Sequence, residues 1–324
     1  MEPQHWQHPL PPPDLWAFRE ITGIGGAELG VCFDGWSKLA ILTADKVFLI
    51  PRRGRDELLL RGAIVCEELA RLGLDCVPRV LGRWPDGVLA AGPFVAFERR
   101  SGTGWSELAD TAGLDGLERM LTSLGGLIAS WHRLDVSRLP VDLRRPLVQD
   151  RHWLTRLLDT DRVDRTVDEA VRLLDANPTW AEQWRRTALR VASLPPVLLH
   201  GDVCENQLLV DDELHVRTVF DWDTASLGNP LLDFDFGEWG AAIFRWEAEF
   251  SRLRQAMWNA YTTKLDGALG TDPPTAHDVH LLFTLKELAY FEESNATGPI
   301  DDFGAARLAR LRQQIGPATE AADG

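Results

Sequence analysis

The sequence predicts an α+β fold of two lobes, a small β-rich lobe followed by a larger, mainly helical lobe. Two observations support this prediction. Before residue 98, short apolar runs alternate with turn residues, which is typical of strands. Beyond residue 103, apolar residues recur at helical spacing over most of the chain. The 324 residues are enough to bury a sizeable core.

The first lobe is predicted to span residues 14–98. Apolar residues at helical spacing predict one helix in it, over residues 57–72. Apolar runs predict five strands, at residues 29–33, 39–42, 47–50, 88–91 and 94–97. Residues 1–13 precede this lobe, lack periodicity and end in a proline-rich run, so they are predicted to form a flexible N-terminal arm.

The second lobe is predicted to span residues 99–318, and residues 319–324 are predicted to form a loose C-terminus. Its helical periodicity changes to three short apolar, strand-like runs only around residues 197–220. Helices are predicted at residues 117–134, 154–174, 181–194, 239–265 and 278–291.

Composition and charge narrow the class of protein. The chain is 45% hydrophobic and 26% charged, as in globular proteins, and its net charge is −15. Such an acidic chain is predicted to bind neither nucleic acid nor an anionic membrane surface, and the charge favours a neutral or cationic partner. The four cysteines show no CxxC spacing, which argues against a zinc site. No apolar run approaches 18 residues, and we expect a soluble, cytoplasmic protein.

A polar segment between two short apolar runs is the strongest candidate for a site. It begins at His200, Gly201 and Asp202 and ends at Asn206 and Gln207. The next apolar run, Val216 to Phe220, ends in Asp221-Trp222-Asp223, so a hairpin brings Asp202, both amides and Asp221 together. Carboxylates that converge with an amide suit Mg²⁺, which also keeps positions open for phosphate oxygens.

The residues of this segment have separate predicted roles. Asp202 could accept the proton of a substrate hydroxyl or simply orient that hydroxyl. Asp221 ends a buried strand, where a carboxylate needs a partner such as a metal ion. Asp223 is either a second metal ligand or an anchor behind the ligands, and the residues leave both open. His200 and Asp233 are expected to brace the loop, and Glu205 to be a solvated loop acid.

Four blocks of the chain together resemble the aminoglycoside phosphotransferase/choline-kinase-like family. They are His200-Gly201-Asp202, Gln207-Leu208-Leu209-Val210, Phe220-Asp221-Trp222-Asp223, and Gly228-Asn229-Pro230 with Asp233. The resemblance implies a protein-kinase-like fold and transfer of the γ-phosphoryl group of ATP or GTP to a hydroxyl of a small molecule. Only a few residues separate Asp223 from Gly228, which leaves no room for the activation segment of a protein kinase.

The resemblance also implies roles for individual residues. Asp202 corresponds to the catalytic base and Asp221 to the metal ligand at the nucleotide phosphates. The amide metal ligand corresponds to Gln207, where the family usually has Asn, with Asn206 one residue earlier. Asp223 remains a candidate metal ligand.

The nucleotide lobe departs from the family pattern. Leu49 stands where a lysine is expected in the third strand, and Gly62 stands where the helix should offer that lysine a glutamate. Loss of both avoids leaving one buried charge unpaired, which costs several kcal/mol. Lys38 is the best substitute for the missing lysine. The predicted nucleotide contacts are Gly35, Trp36, Ser37 and Lys38 in the loop over the phosphates, Arg52, and Phe97 and Glu98 at the hinge.

The acceptor is expected between the hairpin and the later helices, where Asp235, Glu238, Trp239 and Trp246 lie. These acidic residues suit a cationic acceptor such as an aminoglycoside or a basic peptide antibiotic. Two alternatives stay open. Gln207 favours a sugar or metabolite kinase of the same fold, and Leu49 with Gly62 favours a catalytically silent protein that binds a nucleotide or another ligand.

Overall fold

The structure, a computed structural model, describes residues 22, 32–34, 38–51, 56–89, 92–144, 152–174, 176, 178–240, 242–243, 250–267, 269, 273–297 and 302–315. The predicted N-terminal arm and C-terminal end lie outside the described residues. So do five of the predicted site residues, Gly35, Trp36, Ser37, Arg52 and Trp246, and the side chain of Glu238.

The first lobe is built on a five-stranded antiparallel sheet with strand order β1-β2-β3-β5-β4. Its second strand begins at Lys38, which lies opposite Pro51 at the end of the third. The strands are β1 (Cys32–Asp34), β2 (Lys38–Leu42), β3 (Lys46–Pro51), β4 (Val80–Leu89) and β5 (Gly92–Glu98).

The fourth strand begins eight residues earlier than the predicted hairpin, at Val80 instead of Val88. Its packing explains the difference, because the Trp84 ring stacks on Phe94 with 4.4 Å between ring centroids. Gly82 makes room for this ring, since a Cβ there would lie 2.6 Å from it. A contact across the sheet therefore extends a strand that glycine and proline obscure in the sequence.

Helix α1 (Asp56–Arg71) packs on β4 and β5 of this sheet. Its buried residues Leu59, Ala63, Cys66 and Leu69 recur at helical spacing. The helix also contacts the turn Trp222–Thr224 of the second lobe, so it links the two lobes.

The second lobe is mainly helical. Its most extensive contact between helices joins α3 (Gly113–His132) and α8 (Ser251–Leu265), which pack closely at Gly125, where a Cβ would lie 2.3 Å from the Met257 carbonyl oxygen. The helices are α2 (Trp105–Ala109), α3 (Gly113–His132), α4 (His152–Leu157), α5 (Val163–Leu174), α6 (Pro178–Ala192), α7 (Gly237–Gly240), α8 (Ser251–Leu265), α9 (Ala276–Thr297) and α10 (Asp302–Ile315).

The extent of one predicted helix was wrong. The helix predicted at residues 154–174 is split into α4 and α5, because Asp159 turns the chain: its carboxylate accepts from the Asp161 N–H and its carbonyl from the Val163 N–H. For the helix predicted at residues 239–265 the structure describes the end of α7, residues 242–243 and all of α8, and residues 241 and 244–249 lie outside the described part of the chain.

Short strands carry the site. A two-stranded sheet pairs β7 (Val197–Leu199) with β10 (Ser226–Gly228). A three-stranded sheet has the order β6-β8-β9, from Thr103–Gly104, Leu208–Val210 and Val216–Val219. The α+β two-lobed fold is thereby confirmed. Among the described helices, none has the length and apolar character needed to span a membrane.

Candidate active site

The loop between β7 and β8, residues 200–207, is held by a buried histidine. His200 Nε2 lies 2.6 Å from the Phe220 carbonyl oxygen, and the Asp202 N–H points at His200 Nδ1 over 3.4 Å. Because Nδ1 accepts, Nε2 must carry the proton and donate to Phe220. Burial lowers the pKa of His200, which keeps the ring neutral, and the ring packs on Trp222. These contacts make His200 a bracing residue rather than a base.

The buried Asp233 carboxylate fixes the start of this loop through hydrogen bonds. It accepts hydrogen bonds from the backbone N–H groups of His200 and Gly201, each 2.9 Å long, and from Trp131 Nε1 at 2.9 Å. His132 Nε2 lies 3.1 Å away. Burial alone would raise the pKa of Asp233, but the hydrogen bond and charge of His132 and the other donors hold it below the usual value.

Gly201 allows the loop to turn tightly. Its φ is +82°, and a Cβ there would lie 2.7 Å from the Thr224 carbonyl oxygen. The Thr224 hydroxyl in turn donates to the His200 carbonyl oxygen over 3.0 Å. The loop and the turn after β9 are therefore fixed against each other.

Asp202 is exposed at the tip of this rigid loop. Its carboxylate makes no hydrogen bond or ion pair with any other residue that the structure describes. A carboxylate that is exposed, unpaired and held by a fixed backbone is able to accept a hydrogen bond from a substrate hydroxyl.

The two candidate amides differ in their surroundings. Gln207 is buried, and its Oε1 atom finds no hydrogen-bond partner in the described part of the chain. Its backbone carbonyl accepts from the Phe220 N–H over 2.9 Å, so Gln207 lies beside the strand end that carries Asp221. Asn206 is exposed and its Oδ1 accepts from the Ser106 hydroxyl. A buried oxygen without a partner fits a metal ligand, and this favours Gln207.

Asp221 and Asp223 share one buried cation. Asp221 has left-handed backbone angles (φ 63°, ψ 54°), which residues other than glycine rarely adopt. Lys38 Nζ, from the start of β2, bonds to Asp221 Oδ1 and lies 2.7 Å from Asp223 Oδ2. Burial alone would lower the pKa of Lys38, but Asp223 and Asp221 outweigh burial and leave that pKa raised. Burial raises the pKa of Asp223 to about 6 despite Lys38.

Helix α1 contacts the turn that carries Asp223 at Gly62 and at Arg61, and the sequence had not marked Arg61 as functional. Arg61 Nη1 donates to the Asp223 carbonyl oxygen over 3.0 Å, and Arg61 Nη2 donates to the Ala225 carbonyl oxygen. At Gly62 a Cβ would lie 2.1 Å from Asp223 Oδ1. Leu49 is half-buried in β3, with the first-lobe core beside it.

The predicted hinge residues end β5. Phe97 is buried in the core, opposite Val47 of β3 and Val80 of β4. Glu98 is half-buried, and its carboxylate lies 3.6 Å from Arg79 and 3.9 Å from Arg100. Both residues stand where the chain leaves the sheet, and the contact to a nucleotide base stays a prediction.

The predicted acceptor residues are engaged within the protein. Asp235 pairs with Lys286 of α9, 3.1 Å away, so a cationic acceptor would compete with this lysine. Trp239 is half-buried and meets Trp105 edge to face. Glu205, expected to be solvated, accepts from the Trp239 N–H over 2.7 Å and fills the space above Gly237. The sequence signal for this contact is Gly237, the first residue of α7, because any side chain there would overlap the Glu205 carboxylate.

Two lobes of this architecture, with an exposed aspartate on a braced His-Gly-Asp loop followed by an amide and a strand-end carboxylate, define a kinase-like phosphotransferase. The model of the phosphotransferase enzyme family matches residues 34–274, and the chain belongs to this family. The predicted family resemblance and the prediction of an enzyme of the small-molecule kinase class are confirmed. Among curated proteins, no sequence matches this chain significantly.

Solved structures of the same fold cover nearly the whole chain. A macrolide 2′-phosphotransferase from Brachybacterium faecium is 18% identical, with 92% of this chain and 97% of that chain covered and a TM-score of 0.53. A putative aminoglycoside phosphotransferase from Ralstonia eutropha is 17% identical, with 93% of this chain and 95% of that chain covered and a TM-score of 0.56. A choline/ethanolamine kinase family protein from Mesorhizobium loti is 17% identical, with 94% of this chain and 95% of that chain covered and a TM-score of 0.52.

Proposed function

We propose that the protein transfers the γ-phosphoryl group of ATP or GTP to a hydroxyl of a small molecule. The observation that carries the proposal is the exposed, unpaired Asp202 carboxylate on a loop that His200 and Asp233 hold rigid. Asp202 accepts the hydrogen bond of the acceptor hydroxyl and directs its oxygen at the donor phosphate. Phosphoryl transfer depends mostly on such positioning and on charge neutralisation.

Mg²⁺ fits the residues that would hold it. Gln207 Oε1 is buried without a partner, and the Asp221 carboxylate ends the adjoining strand, so an amide and a carboxylate oxygen are available. When bound, the ion would neutralise charge on the phosphates. Solved structures of the fold include an aminoglycoside phosphotransferase with GDP and another with ATP and streptomycin, which supports a nucleotide donor.

The acceptor is a cationic antibiotic in our proposal, an aminoglycoside or a basic peptide, and the enzyme would then act as a resistance kinase. The net charge of −15 supports a cationic acceptor, and the similar structures include enzymes named for aminoglycosides and macrolides. Glu238, Trp239 and Trp246 are the proposed contacts. Asp235 takes part only where the acceptor amine displaces Lys286.

Gln207 supports a second candidate, a sugar or metabolite kinase, which differs from the first only in the acceptor. A screen of Mg²⁺-dependent phosphate transfer against aminoglycosides, peptide antibiotics, macrolides, sugars and nucleosides separates the two. Phosphorylation of neutral sugars or nucleosides alone would reject the cationic acceptor.

Asp202→Asn tests the proposed chemistry. We expect kcat to fall about 10²–10⁴-fold, because the amide cannot accept the hydroxyl proton, while the nucleotide still binds. Asp212→Asn, an exposed acid of the same hairpin, is the matched control and should keep full activity. Nucleotide binding by an inactive wild type would instead identify a silent binding protein.

A further inference from the structure

The carboxylate of Asp223 occupies the space that a side chain at residue 62 would fill. Its side chain is 13% exposed, and its Oδ1 lies 2.1 Å from the position of a Cβ on Gly62. Gly62 lies in the middle of α1, where a glycine costs about 1 kcal/mol relative to alanine. The close approach of Asp223 is therefore a structural reason for the glycine.

The same carboxylate forms an ion pair with Lys38, 2.7 Å from Nζ, beside the bond of Lys38 to Asp221 Oδ1. Lys38 is itself buried, with 9% of its side chain exposed, so it needs such a partner. The ammonium comes from the sheet of the first lobe and the acid from the turn after β9. The pair therefore joins the nucleotide lobe to the catalytic strands.

Arg61 fixes the backbone that carries this acid. Its guanidinium donates to the carbonyl oxygens of Asp223 and Ala225. Two neighbouring residues of α1 therefore act on the same turn: Arg61 ties its backbone to the helix, and Gly62 leaves room for its acid. This arrangement sets the position of the Asp223 carboxylate from the side of α1.

We propose that Asp223 is a positioning residue that holds Lys38 against the phosphates of the donor nucleotide, in place of a lysine at residue 49 and a glutamate at residue 62. The proposal rests on the proposed function and decides between the two roles left open for Asp223. Asp221 also bonds to Lys38, but its side chain is 32% exposed against 13% for Asp223, so in this proposal Asp221 is the acid that reaches the metal ion. Lys38 is then a direct nucleotide contact.

Equilibrium binding of ATP and GTP to the full chain tests the pair. We expect Lys38→Met and Asp223→Asn each to weaken nucleotide binding about tenfold or more, and the double variant to be no weaker than Lys38→Met, because the two act as one unit. Additive losses would overturn the proposal. So would unchanged affinity in either single variant.

A relocated carboxylate provides a readout that a merely structural role would not move. In Asp223→Ala the acid is gone, and adding Gly62→Asp restores one close to its original place. We expect this double variant to recover most of the lost nucleotide affinity. Gly62→Ala with Asp223→Ala fills the same space without a charge and should stay weak. Equal nucleotide affinities of the two double variants would overturn the proposal. This comparison does not need Asp223→Asn, so it holds even if that variant fails to fold.

The Mg²⁺ dependence of nucleotide binding separates positioning from metal ligation. We expect Asp221→Asn to raise the Mg²⁺ concentration needed for half-maximal binding and Asp223→Asn to leave it unchanged. An equal rise in both variants would make Asp223 a metal ligand. These binding measurements need no acceptor, so a protein that binds nucleotide but transfers no phosphate would refute the proposed function and leave the Lys38–Asp223 pair standing.

Discussion

At the residue scale, the geometry of the catalytic loop depends on Asp233. This buried carboxylate accepts from two consecutive backbone N–H groups and from Trp131. In Asp233→Asn an amide NH₂ would face one or more of these donors. We expect a loss of about 2–4 kcal/mol in the free energy of unfolding, measured by denaturant titration, since buried groups would lose charged partners. Asp212→Asn is the control and should change the free energy of unfolding little.

The contribution of Asp233 to the stability of the wild type depends on pH. Because the folded-state pKa of Asp233 lies below its unfolded value, its stabilisation is present above about pH 4 and is lost as pH falls through the folded pKa. His200, whose pKa burial lowers, adds a loss that begins below about pH 6.5. We expect the wild-type unfolding free energy to fall more steeply below about pH 4 than that of Asp233→Asn. Parallel curves would contradict this.

Neighbours in space could be predicted from the sequence only where the residues are also close together along the chain. Hairpin spacing predicted that Asp202, Gln207 and Asp221 come from adjoining strand ends, and the structure has these strands as β8 and β9. The partners of Lys38 could not be predicted in this way, since the bond to Asp221 spans 183 positions. Nor could the choice between Gln207 and Asn206, which depends on burial.

At the element scale, the contact of α1 with the turn after β9 predicts an unusual response to a helix-stabilising substitution. Alanine normally stabilises a helix by about 1 kcal/mol relative to glycine. We expect Gly62→Ala to lower the unfolding temperature and weaken nucleotide binding, because its Cβ would meet Asp223 Oδ1 at 2.1 Å.

Gly126→Ala in α3 is the matched control. Its Cβ would meet only Lys264 Cδ, at 3.9 Å, so it should be neutral or stabilising. Stabilisation by both substitutions, in thermal unfolding of the two variants, would show that α1 can move away from the turn without cost.

Elements were predictable where local periodicity dominates. Helices α1 and α3 follow their apolar patterns to within a few residues. The predictions failed where packing overrides the pattern, as at Trp84 and Phe94 in the extended β4, or where a side chain turns the chain, as at Asp159. Helix α10 was not predicted.

At the scale of the whole molecule, a nucleotide that contacts both lobes should stabilise the folded chain. A ligand that binds only the folded state adds about 2.7 kcal/mol at a hundredfold excess over its Kd. We expect ATP or GTP with Mg²⁺ to raise the unfolding temperature more than the same nucleotide with a chelator. The extra stabilisation measures the metal-dependent part of binding, and it can be assigned to single residues.

Gln207 and Asn206 divide that assignment. Gln207→Met keeps the length of the side chain and removes the buried oxygen that lacks a partner, so the extra stabilisation by Mg²⁺ should disappear. Asn206→Ala loses only the exposed bond to Ser106 and should keep it. Thermal unfolding of both variants, with and without chelator, makes the comparison. If the extra stabilisation by Mg²⁺ is lost only in Asn206→Ala, residue 206 is the metal ligand instead, because metal binding stabilises the folded chain through the oxygen that coordinates the ion.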